Sequence, residues 1–385
     1  STVTVTKNIS GSANTFNNLT IAGTGTSLIS GNNKVNGDFT CTQAGKTLSF
    51  EAGKTLTVDG SFTITGEAAS KITLNSQTAG SQWILTTPAG DANVTHAIVT
   101  DSKSTDPFIR PSYSTNNGNN TNWIFAANYR WLSNTTGTDW ETAANWQVES
   151  SAGVWTTATD FPGNGSDEDT VKVVANANSK YPVYSSASKG IILDSLEVDA
   201  DAAASINTTY NIQLIKTSSP LTNKGTVIFQ NTGRFIDTTL PTAKYLVDTT
   251  QGTVEFAEGS STVENINPAD DTAADYNNVI ISGTVKLAGN IKTKGSFTVS
   301  QALDGNSKVL NIGTKLTTTA TITDVTTLSV NGDASIGTDI TTSGSQKYQG
   351  KVTLTQDVTL KAMNNITFED NATITGASYN LTLDN

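Results

Sequence analysis

The sequence points to an all-β chain wound as a right-handed parallel β-helix. Two observations carry this expectation. Apolar and polar residues alternate with a period of two along most of the chain, as at 46–51 and 54–59, where Leu48, Phe50, Leu56 and Val58 fall on one side. Short phrases also return in phase. "GDFT" at 37–40 recurs as "GSFT" at 60–63, 23 residues on, and again at 295–298, and "FNNLTIAGT" at 16–24 is echoed by "YNNVIISGT" at 276–284. Self-similarity at about 20–30 residues signals stacked coils. At about 22 residues per coil and ~4.8 Å between strands, 385 residues make roughly fifteen coils in a rod of ~70 Å.

The first block spans 1–127. Its "AGKTLSFEAGKTLTVDG" at 44–60 twice contains the Gly-Lys-Thr that ends a phosphate-binding loop. Such a loop needs a glycine five positions earlier, where this chain has Thr40 and Leu48, and it must open a helix, whereas both copies alternate as strands. Gly45, Gly53 and Gly60 bound two short strands instead, because glycine alone turns with positive φ at no steric cost. The same stretch has the length of an antiparallel hairpin with a three-residue loop. The solenoid is favoured because the echo keeps glycine, aromatic and threonine in one phase. Leu48, Phe50, Leu56, Val58, Phe62 and Ile64 are then expected to face inward. Asparagine pairs such as Asn17-Asn18 and Asn277-Asn278 are expected to form hydrogen-bonded ladders between coils.

The period fails between about 83 and 170. Residues 103–125 are loop-rich, with Pro107, Pro111 and an asparagine cluster. A connecting or capping element at 128–170 follows and holds Trp131, Trp140, Trp146 and Trp155, four of the six tryptophans, with one helical turn expected at 139–145, capped by Asp139. Alternation resumes with "TVKVV" and runs to the C-terminus, giving a second solenoid block at 171–385.

Composition narrows the function. Charged residues make up 15%, the net charge is -11, and Arg110, Arg130 and Arg234 are the three arginines, so the basic footprint of a nucleic-acid binder is missing. No apolar run is long enough to cross a bilayer as a helix. One cysteine, Cys41, rules out an internal disulfide framework and reads as a small buried residue. With a single histidine, His96, no histidine-based metal cluster is expected, and His96 reads as a surface or packing residue. No cofactor is expected. The chain starts at Ser1 inside the strand-like "STVTVT", which suggests a processed or excised segment.

The tryptophan element, with Arg130 beside it, is the one local feature distinct from the repeats. Arg130, Trp131, Trp140, Trp146 and Trp155 are the candidate ligand-binding residues, as a platform on which sugar rings stack. The competing and favoured reading is a cap, in which large aromatic side chains close the open core and strand edges of a solenoid end. Asp160, Asp167, Glu168 and Asp169 are clustered oxygen donors of the kind that hold calcium, but their spacing matches no dedicated loop, and a solvated acidic turn is expected, with a second at Asp270 and Asp271. Polysaccharide lyases and hydrolases on β-helices need several charged groups converging on one face; no such constellation is visible, so no catalysis is expected. Threonine runs such as "TVTVT" and "TLTTTATIT" raise ice binding as a further alternative, but strict Thr-x-Thr regularity is missing along the sequence.

Residues 341–368, "TTSGSQKYQGKVTLTQDVTLKAMNNITF", resemble repeats of the large secreted exoproteins of the filamentous haemagglutinin type, with Gly344, Gln346, Tyr348, Gly350 and Leu354 carrying the match. The segment from Trp131 to Asn145-Trp146, then Pro162 and Asp169-Thr170-Val171, also looks like a tryptophan-rich element of bacterial surface β-helix proteins. "NNGNNTNWIF" looks like the close of a preceding unit in such proteins. The resemblance implies a right-handed β-helix passenger exported across a Gram-negative envelope, by autotransport or two-partner secretion. It implies an extracellular or outer-membrane-surface stalk and adhesin, with glycans or surface proteins as partners and scope for self-association along the solenoid. It transfers no catalytic residue.

Overall fold

A computed structural model describes residues 1–385 other than 89, 106–108, 165–167, 217–218, 238–243, 258, 261, 265, 267–272, 370–371 and 377. Pro107, Asp167, Asp270 and Asp271 therefore lie outside the described residues. The chain is an all-β parallel solenoid of about 16 turns. It divides into two compact units, 1–128 with 148–156 and 167–169, and 129–147 with 157–166 and 170–385.

In the first unit three five-stranded sheets form the walls. The first stacks Thr2–Val5, Asn18–Ile21, Phe39–Cys41, Phe62–Thr65 and Ala92–Thr95, all in parallel register. The second stacks Thr26–Ile29, Thr47–Phe50, Ile72–Ser76, Ala97–Val99 and Thr115–Asn116. The third stacks Thr15–Phe16, Asn33–Val35, Thr55–Val58, Trp83–Thr86 and Ser102–Ser104. Thr47–Phe50 and Thr55–Val58 thus belong to different walls and do not pair as a hairpin. Gly45 and Gly53 turn the corners with φ of 71° and 70°. The six residues from Leu48 to Ile64 named above are all buried.

The echoes have a physical cause. Asn18 Oδ1 accepts the backbone N–H of Asp38 at 2.9 Å on the next turn, and Asn278 Oδ1 accepts that of Ser296 at 2.9 Å. A Cβ on the preceding residue would stand 2.1 Å from Asn18 Oδ1 at Gly37 and 2.2 Å from Asn278 Oδ1 at Gly295, so glycine is required at both. "NN" and "GDFT" or "GSFT" are the two halves of one inter-turn clasp. The ladder differs from the expected row of asparagine side chains: each carboxamide or carboxylate bonds the backbone of the next turn, as Asp38 Oδ1 in turn accepts Ser61 N at 3.0 Å. Phe39 and Phe62, the aromatics of the echo, stack with centroids 5.1 Å apart.

In the second unit a ten-stranded parallel sheet runs from Val183–Tyr184 through Ala203–Ile206, Thr226–Phe229 and Thr253–Phe256 to Val352–Leu354 and Ile374–Thr375. A second ten-stranded sheet includes Leu303–Ile312 and Ile322–Val330, which pair parallel but with register shifts around Lys308. In a further, nine-stranded sheet Phe235–Asp237 pairs antiparallel with Lys244–Tyr245. Gln346 is fully buried, donating to Ile340 O at 3.1 Å and Lys361 O at 2.8 Å while accepting from the Tyr348 hydroxyl at 2.9 Å. Burial pushes the Tyr348 phenol far above its ordinary pKa, so it stays a neutral donor.

The lysine of the first Gly-Lys-Thr has an unexpected place. Lys46 is 0% exposed and its amino group has no hydrogen-bond partner. An unmet buried polar group costs about 1–3 kcal/mol. Lys46→Met, of similar length and without the amino group, is expected to raise the urea midpoint of the first unit; a lowered midpoint would show that the ammonium has a stabilising role.

Candidate functional site

The tryptophan element is built around three indoles of the second unit. Trp131 ends the strand Asn128–Trp131, Trp140 lies within a tight turn, and Trp146 opens the strand Trp146–Ser151. The turn is set by Asp139, whose carboxylate accepts Glu141 N at 3.1 Å and the Thr142 hydroxyl at 2.7 Å. The expected helical turn is confined to a 3-10 segment, Ala143–Asn145, capped by Thr142 without a side-chain bond. Asn145 ties the turn together, accepting from the Thr135 hydroxyl at 2.7 Å and donating to Asp139 O at 2.9 Å. A Cβ at Gly137 would meet Asn145 Oδ1 at 2.7 Å.

Trp131, Trp140 and Trp146 are 0%, 1% and 0% exposed. Trp146 meets Trp131 edge to face at 4.8 Å and 82°, and Trp140 at 4.8 Å and 67°. Trp140 also meets Tyr184, in the terminal strand of the first ten-stranded sheet, at 6.1 Å and 75°, and Asp139 extends that strand through a parallel bridge to Val183. Each indole N–H is satisfied inside: Trp131 donates to Lys180 O at 2.8 Å, Trp140 to Pro162 O at 3.0 Å and Trp146 to Trp140 O at 2.7 Å. The sugar-stacking platform is therefore corrected for these three residues. Their faces cover one another, and no ring face or donor is left for a ligand.

The other two candidates stand apart from this cluster. Arg130 is half-buried and its Nε donates to Gln147 Oε1 at 2.7 Å. Trp155, in the strand Val154–Thr157, is half-buried and belongs to the first unit. The structure brings together three of the five residues and places them in a core.

The acidic turn also departs from expectation. Asp169 is 4% exposed and accepts Ala127 N at 2.9 Å, and Glu168 pairs with Arg110 Nη2 at 2.7 Å. Asp160 is exposed but accepts Phe161 N and Asn164 Nδ2, both at 2.8 Å. Asp169 thus holds a loop to its strand and Glu168 pairs loop to loop, and the described residues contain no group of three His, Cys, Asp or Glu placed to hold a metal. His96 is half-buried at φ 50°, stacks on Tyr113 at 5.2 Å and reaches Ser150 O through Nε2 at 3.1 Å. Cys41 is buried in the first wall, and burial raises its thiol pKa above the ordinary value, keeping it protonated.

A feature that sequence reasoning missed lies in the second unit. Arg234 is 2% exposed, and its guanidinium pairs with Glu264, Nη2 to Oε1 at 2.9 Å and Nε to Oε2 at 3.1 Å. It also donates to Asn231 O, Gly233 O, Thr262 O and Ser260 Oγ, and lies over the rings of Phe229 and Phe256 at 4.7 and 5.7 Å. All five donors are engaged, so this is a closed structural network rather than an anion site. Its signal was an arginine next to inward-phased Phe235 in a chain where arginine is scarce. A cleft of about 460 Å³ is lined by Tyr245, Thr249, Thr250, Ile266 and Lys294, among others.

These features define a parallel β-solenoid protein whose distinctive aromatic and charged clusters are part of its packing. No protein-family model, curated protein or solved structure matches the chain.

Proposed function

We propose that this chain is a non-catalytic structural and adhesive segment of a large exoprotein on the surface of a Gram-negative bacterium, where it forms a stalk and presents its walls to glycans or surface proteins. The observation that carries the reading is the use made of charge. Ion pairs run from turn to turn: Lys34 to Asp59 at 2.9 Å, Lys172 and Lys224 to Glu197 at 3.5 and 2.6 Å, Lys347 to Glu369 at 2.8 Å and Lys361 to Asp384 at 2.6 Å. Each exposed pair is individually weak. Together with the asparagine and aspartate clasps they strut successive turns, which serves a rigid scaffold, whereas an enzyme on this fold gathers such groups into one groove.

The test is labelling of intact cells of the source organism with antibodies against the purified chain, together with a polysaccharide screen. Surface labelling, and loss of attachment on deletion, are expected. Label that appears only after permeabilisation, or sustained turnover of a polysaccharide abolished by one carboxylate substitution, would overturn the proposal.

A further inference from the structure

The first wall of the first unit carries an ordered array of hydroxyls on its solvent side. Thr4, Thr20, Thr40, Thr63 and Asn93 stand in register from strand to strand. Two residues further along the chain come Thr65 and Thr95, directly paired within their strands, and Thr6, Ala22 and Thr42, each the first residue past the end of its strand. Their neighbours Val5, Ile21, Cys41, Ile64 and Val94 point into the core, so the pleat holds the first column, Thr65 and Thr95 outward, while Thr6 and Thr42 are exposed just past their strand ends. Eight of the ten positions are threonine, and none is charged.

Three properties make this wall more than a row of strand threonines. The hydroxyls of Thr4, Thr6, Thr20, Thr40, Thr42, Thr63 and Thr65 bond to no other protein group among the described residues, while Thr95 touches His96 at 3.2 Å. On the third wall, by contrast, Thr86 and Thr105 bond each other at 2.7 Å. The spacing of the turns is also fixed beside the array by the Asn18–Asp38–Ser61 clasps and beneath it by the stacked Phe39 and Phe62. Threonine's β-branch, finally, restricts χ1, so neighbouring hydroxyls and methyls are pre-oriented alike.

We propose that this wall binds ice. A hydrogen bond to ice is no better than one to liquid water, so attachment requires many matched contacts made together by a rigid face. Hydroxyls repeating at ~4.8 Å across strands and ~6.6 Å along them present a lattice on the scale of the oxygen repeats of an ice surface. A soluble glycan requires a concave pocket with a few convergent polar groups, whereas the array is the outer face of a single sheet. The inference rests on the fold and on this wall, independently of the exoprotein reading.

The test is incorporation of the purified 385-residue chain into slowly growing ice, with crystal shaping and recrystallisation followed by microscopy. Wild type is expected to be enriched in the ice fraction. Thr40→Tyr and Thr63→Tyr, at the centre of the array, and Thr6→Lys at its exposed edge are expected to lose enrichment to the level of an inert protein while keeping the wild-type circular dichroism and melting curve. Thr57→Tyr, outward on the third wall in register with Lys34 and Thr86, is expected to retain it. Exclusion of wild type from ice would overturn the proposal, as would full binding by folded array variants or retention on crystalline cellulose or chitin without ice binding.

Discussion

Trp146→Ala is expected to destabilise the second unit by about 3–5 kcal/mol, the range for truncating a buried large aromatic side chain. Trp146 is the middle ring of the cluster, in edge contact with Trp131 and Trp140, and its N–H is the donor to Trp140 O. Removing it opens a cavity between two indoles and leaves that carbonyl without its partner. Neighbouring turns transmit the loss, because a solenoid is stabilised through its interfaces from turn to turn. Trp155→Ala, at a half-buried strand position, is expected to cost clearly less. Urea unfolding followed by circular dichroism measures both. A Trp146→Ala chain as stable as wild type would mean that the cluster does not hold the turn to its terminal strand.

Glu264→Ala is expected to cost a similar ~3–5 kcal/mol, for an electrostatic reason. The substitution leaves the Arg234 guanidinium in a site it cannot leave, over Phe229 and Phe256 and bonded to backbone carbonyls, without its counter-charge. An uncompensated buried charge costs more than the pair contributes, so Arg234→Met combined with Glu264→Leu is expected to recover most of the loss. A double-mutant cycle separates the two effects. If Glu264→Ala alone is no worse than the double substitution, the penalty does not come from a stranded charge.

Much of the fold was legible because strand alternation and glycine punctuation are local. Leu48, Phe50, Leu56, Val58, Phe62 and Ile64 could be assigned to the core from period alone, and the echo of "GDFT" with "GSFT" marked stacked turns, but that its glycines close on Asn18 and Asn278 was seen only in the structure. The tryptophan cluster was visible as a concentration of rings, but the sequence could not say whether their faces met solvent or one another. That depends on Lys180, Pro162 and Tyr184, which supply the partners from distant positions. Arg234 was counted as a scarce cation and not seen as buried, because Glu264 approaches it only when the turns stack.

The threonine wall draws the line most clearly. The sequence fixes which way each threonine points, since alternation within a strand is set by the pleat over two or three residues. It does not fix which threonines become neighbours. Thr4, Thr20, Thr40 and Thr63 follow one another at unequal steps, so no constant period betrays them, and the spacing reads as too loose for an ordered face. Corner loops absorb the differences in length, and parallel backbone pairing between turns then brings the strands into register. Register between turns is a non-local property, chosen by the stacking of inward side chains such as Leu19, Phe39 and Phe62 and by the clasps at the corners. The side chains on the outer surface inherit an alignment that their own positions in the chain do not encode.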